Sequence, residues 1–99
     1  MSFKITFLKR ARLEIADITE WYEEKQHGLG LRFLKTLYAQ VDKILMNPMA
    51  YSEKRKNYRE VKLSEFPYLI VYKIQEKKNS IIIVSVFHTS RSTRSKYQG

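Results

Sequence analysis

A chain of 99 residues with 43% hydrophobic and 13% aromatic side chains can close one hydrophobic core and is too apolar for bulk disorder. It contains no cysteine, which excludes disulfides, a thiol nucleophile and a thiolate-held zinc. The formal charge is +9, with a net +2 in residues 1–50 and +7 in residues 51–99. This lopsided excess points to an anionic partner, nucleic acid or an acidic protein, or to a basic surface that merely keeps the chain soluble. No apolar run approaches the ~20 residues of a membrane span, and the start lacks a signal-peptide core. A cytosolic protein with no membrane association is expected.

In chain order, Phe3 to Phe7 alternates with period two, which predicts a strand with Phe3, Ile5 and Phe7 inward. From about Lys9 the period lengthens. Ala11, Ile15, Ile18 and Tyr22 form one helical stripe, with Glu14, Asp17, Glu20 and Glu24 largely outside it and Trp21 at its border, as a helix–helix packing residue. Gly28 and Gly30 end this helix and lack the full fingerprint of a phosphate-binding loop. A second helix follows to about Met46, with Leu31, Leu34, Tyr38, Val41 and Leu45 as its stripe and Leu37 and Ile44 flanking. Asn47-Pro48 stops it.

Residues 49–57 read as a polar, basic loop. Three strands are then predicted at about Tyr58–Leu63, Tyr68–Gln75 and Ser80–Phe87, followed by an irregular or flexible tail over 89–99. The order is β-α-α-β-β-β. It describes a single α+β domain over 1–99, with a helical hairpin on one face of a small, mainly antiparallel sheet. Leu69–Tyr72 and Ile81–Phe87 are apolar at nearly every position, so both faces of those strands need cover, and two helices roof only one. Leu69, Val71, Ile82, Val84 and Val86 are therefore expected on an open apolar face.

The order and spacing of Gly28 to Leu34, Asn47-Pro48, Tyr58 to Leu63, Phe66 to Tyr72 and Val86 to Arg91 resemble the RelE/ParE superfamily, which includes plasmid stabilisation proteins. These are the toxins of type II toxin–antitoxin pairs. The resemblance covers almost the whole chain and implies growth inhibition neutralised by a cognate acidic antitoxin, docked on the open face at Leu69, Val71, Ile82, Val84 and Val86. It implies neither metal nor organic cofactor.

Two mechanisms divide the superfamily: poisoning of DNA gyrase, without chemistry of its own, and cleavage of messenger RNA on the ribosome. For the RNase branch, the resemblance offers Glu60, Lys62, His88, Arg91 and Tyr97 as catalytic candidates. Lys62 matches a strand lysine of that branch, but Glu60 and Leu69 stand where its best-known pattern carries a lysine and an arginine. His88 reads more simply as a strand-ending histidine bonded to backbone. Lys62, Arg91, Arg94 and Lys96 are candidates for contact with the target or with nucleic acid. The long helices and the Val86–Arg91 ending favour the gyrase-directed branch; a ribosome-dependent RNase and a degenerate, non-toxic member remain as alternatives.

Overall fold

The structure, a computed structural model, describes residues 3–90. Strand β1 (Lys4–Phe7) leads directly into α1 (Lys9–Lys25) and α2 (Leu29–Met46); β2 (Glu53–Arg55), β3 (Tyr58–Lys62), β4 (Tyr68–Gln75) and β5 (Ser80–His88) follow. The sheet order is β1-β5-β4-β3-β2, with β1 parallel to β5 and the remaining pairs antiparallel. The α+β order holds, with one addition. Residues 49–57 are not all loop: β2 pairs with β3 across Glu53↔Arg59, and Pro48–Ala50 forms a short 3-10 turn. Three polar residues at a sheet edge carry no hydrophobic alternation, so β2 leaves no periodic trace.

Both helices pack on one face of the sheet. Ala11, Ile15 and Ile18 of α1 are buried as their spacing predicts, and Tyr22 joins the same core. On α2 the buried residues are Gly30, Phe33, Leu37, Val41 and Ile44, so the predicted stripe is displaced: Val41 is buried and Leu34 and Leu45 pack partly against the core, but Leu31 and Tyr38 do not belong to it. Leu31 is 57% exposed and Tyr38 47% exposed. This helix is apolar over most of its circumference, and periodicity alone cannot rank two overlapping stripes. Phe33 decides the rotation. Its ring stacks on Tyr22 at 5.7 Å and meets Phe66 and Tyr68 edge-on at 5.3 and 5.8 Å.

The hairpin is drawn tight at Gly30. A Cβ there would lie 2.7 Å from the Thr19 carbonyl oxygen of α1, so the crossing requires glycine. Gly28 holds the left-handed turn at φ 88°. Glu23 caps the start of α2: its carboxylate accepts the amides of Gly28 (3.0 Å) and Gly30 (3.0 Å). Those two bonds hold its carboxyl below the usual carboxylate range. Stability from a lowered folded-state value is present above the ordinary 4.5 and is lost as pH falls through the folded value. Glu23→Gln is therefore expected to flatten the fall in melting temperature on acidification below pH 4.5, measured against the parent chain.

Beyond Ile83, β5 has no β1 neighbour, and α1 takes its place. Glu14 Oε1 accepts the Ser85 hydroxyl at 2.8 Å and the Val86 amide at 3.0 Å, and Arg10 Nε donates to its other oxygen at 3.3 Å. Ser85 is fully buried. Removing the acceptor strands a buried hydroxyl and an amide, so Glu14→Ala should cost about 2 kcal/mol in denaturant unfolding, and Glu14→Gln roughly half that.

One irregularity reassigns faces. The pairs Tyr72↔Ile83 and Val71↔Ser85 leave Val84 as an extra residue in β5. Such a bulge inverts the alternation after it. Ile81 and Ile83 point to the helices before the bulge, and Val86 does so after it. Val86, expected on the open face, belongs to the helix-side core. Val71 and Val84 are fully buried as well, while Leu69 and Ile82 are half-buried. The expected open apolar face therefore does not exist as a continuous patch. Long side chains roof parts of it: the Arg10 guanidinium lies 5.0 Å from the Phe87 ring centroid, and Lys73 Nζ 5.5 Å from that of Tyr58.

Candidate functional site

Ile70 and Tyr72 belong to the helix-side core, so their β3 partners Val61 and Arg59 share that face. Glu60 pairs with Val71 and Lys62 with Leu69, which places both on the opposite face. His88 pairs with Tyr68 after the bulge and points to the helix side, where its ring meets Tyr68 edge-on at 5.2 Å. The sheet thus separates His88 from Glu60 and Lys62. Arg91, Arg94, Lys96 and Tyr97 lie outside the described residues.

His88 closes a cleft of about 410 Å³ together with Asp17, Ile18, Trp21, Tyr22, Pro67 and Tyr68. Trp21 is 53% exposed on its wall, with Lys25 Nζ 4.8 Å from its ring centroid, and does not pack between the helices. The Ser90 amide donates to His88 Nδ1 at 3.1 Å, and the Ser90 hydroxyl lies 2.8 Å from the same nitrogen. With Nδ1 occupied as an acceptor, the neutral ring carries its hydrogen on Nε2. Burial raises the Tyr22 phenol in the same cleft, with Tyr68 adding to the effect. The Tyr72 phenol, which donates to the Pro48 carbonyl at 2.7 Å, is pushed up by burial to about 12. Neither phenol is a ready acid at neutral pH. No group of three metal-ligating side chains forms among the described residues.

A larger concavity lies between α1 and α2. It measures about 740 Å³ and is lined by Ile15, Ala16, Leu31 and Leu34 together with the charged Arg12, Glu20 and Glu23. Sequence reasoning misses this groove because it places Leu31 in the core; Leu34 does pack against the core and lines the groove as well. The available signal was the excess of apolar residues on α2 over what one stripe needs. Among the described residues no helix is long and apolar enough to cross a membrane.

Against solved structures, the chain is similar to a protein of the chromosomal ParDE toxin–antitoxin system from Pseudomonas aeruginosa, with TM-score 0.73 and 15% identity over 89% of this chain and 97% of the other. It is also similar to the isolated Escherichia coli RelE toxin, with TM-score 0.65 and 21% identity over 94% and 90% of the two chains. The intact Escherichia coli RelBE toxin–antitoxin complex contributes a further match, with TM-score 0.65 and 20% identity over 90% and 99%. At such identities these likenesses establish the fold. No curated protein matches the sequence significantly. The sequence model of the ParE toxin of the type II toxin–antitoxin system parDE matches residues 5–93. That match runs from β1 through β5 on the fold that ParE and RelE toxins share, and the chain belongs to the ParE toxin family.

Proposed function

We propose that this toxin acts by binding DNA gyrase and performs no RNA chemistry, and that a cognate acidic antitoxin holds it inactive. The carrying observation is the separation of the catalytic candidates. RNA cleavage without metal needs a base at the 2′-hydroxyl, cations on the phosphate and an acid at the leaving oxygen, all around one reacting phosphate. Here Glu60 and Lys62 lie on one side of a sheet and His88 on the other. Half-buried Leu69, beside Lys62, adds no cation. The match to the ParE family supports the same reading.

The antitoxin proposal draws on the RelBE complex among the structural neighbours and on the +9 charge, which an acidic tail would complement. Its seat is the groove between the helices: a chain segment entering as an amphipathic helix would bury Leu31 and Leu34 under its apolar side. The half-buried Leu69 and Ile82 offer little area by comparison.

Induction of the chain alone in bacteria separates the mechanisms. The expected outcome is growth arrest with DNA-damage signalling, unchanged in His88→Ala and Lys62→Ala. Codon-placed cuts in messenger RNA that disappear in either variant would replace this reading with the RNase one. Unimpaired growth would identify a degenerate member.

A further inference from the structure

The connectivity collects positive charge at one end of the sheet. The β2–β3 turn, the β4–β5 turn and the start of β1 all lie there, because Tyr58 pairs with Lys73 near the end of β4 and Lys4 pairs with Ser80. Lys4, Lys54, Arg55, Lys56, Lys77 and Lys78 are exposed at this end, with Lys73 behind them. The same segments carry two carboxylates, Glu53 and Glu76. Glu53 is already engaged: it accepts the Asn57 amide at 2.9 Å and lies 3.8 Å from Arg59. None of the five lysines Lys4, Lys54, Lys56, Lys77 and Lys78 is in an ion pair among the described residues.

Both turns are held in shape. Asn57 and Asn79 take the left-handed conformation at φ 69° and 48°. The Asn79 amide donates to the Glu76 carbonyl at 3.1 Å, and its own carbonyl accepts the Lys4 amide at 2.8 Å, which ties β1 to the β4–β5 turn. Two strand spacings separate the turns, roughly 10 Å. This matches the ~12 Å width of a B-form major groove, whose walls are phosphates. The major groove of A-form RNA is deep and narrow and does not fit. Of the aromatic rings near this end, Phe3 packs against the core and Tyr58 has Lys73 Nζ 5.5 Å from its ring centroid, so neither is set out to stack single-stranded bases.

We infer that this end of the sheet is a docking surface for the phosphate backbone of duplex DNA, with the two lysine turns set on either wall of the major groove. Contact is to phosphate and independent of sequence. It uses residues other than Lys62, which lies at the far end of β3.

The test is binding of the full chain to a mixed-sequence DNA duplex by fluorescence anisotropy across a salt series, comparing two charge-matched triple variants. Lys54→Gln/Lys56→Gln/Lys78→Gln should bind at least tenfold more weakly than the parent, with the salt slope reduced by about 2 to 3, since each neutralised phosphate contributes ~0.9. Lys9→Gln/Lys25→Gln/Lys35→Gln, on the helices, should change affinity by less than about threefold. Equal losses in the two variants would mean that net charge alone attracts DNA, and no loss in the first would place the contact elsewhere; either overturns the inference. An RNA duplex bound as tightly, or polyglutamate whose binding is lost in the first variant while DNA binding persists, would also overturn it. Circular dichroism checks that each variant is folded.

Discussion

Val84→Lys is expected to cost the chain about 3 kcal/mol or more, enough to leave a domain of this size marginal or unfolded, because an ammonium would have to sit at a position with no solvent access. The Val84 side chain is fully buried at the bulge, between Ile83 and Ser85, which are also fully buried. A lysine can recover part of the cost by threading its head to the surface, but only by displacing neighbours in a close-packed strand pair. Leu69→Lys is the informative contrast. Leu69 is half-buried, and its β3 partner Lys62 is exposed, so its substitution should cost about 1 kcal/mol. Urea unfolding of both variants checks the ordering. Equal, small losses would mean that the second sheet face is open after all and would restore it as a docking candidate.

Leu31→Glu should leave folding nearly untouched and weaken antitoxin binding by a hundredfold or so, about 2 to 3 kcal/mol, the size of a strong interface anchor. The asymmetry is the point of the prediction. Leu31 is 57% exposed in the free chain, so it contributes little to the core. It lines the groove with Leu34, and a carboxylate there would be desolvated only when a partner helix covers it. Co-expression with the antitoxin, affinity capture and titration calorimetry read the effect directly. An unchanged dissociation constant would remove the groove from the interface.

The prediction of fold from pattern succeeded where a period was unambiguous. Ala11, Ile15 and Ile18 are spaced for one helical stripe, and no rival stripe exists on α1. It failed on α2, where Leu29, Leu31, Phe33, Leu34, Leu37 and Tyr38 satisfy two stripes at once. The choice between them belongs to the ring cluster around Phe33, whose partners Tyr22, Phe66 and Tyr68 come from three different segments. The site was less legible still. The resemblance groups Glu60, Lys62 and His88 as one constellation, yet strand parity and a single bulge set them on opposite faces.

The amino-acid sequence by itself determined the element order apart from the short β2, the helix-hairpin-on-sheet class and the basic excess, because each is written in local period, punctuation and composition, and it carried the family likeness in the order and spacing of its motifs. Only the tertiary structure decided which side of α2 is core, that Val71, Val84 and Val86 are sealed, and that distant lysines meet at one end of the sheet. The physical reason is the same in each case. A side chain's face depends on register and on long-range packing partners, and neither a one-residue bulge nor a contact across dozens of residues leaves a mark on local periodicity.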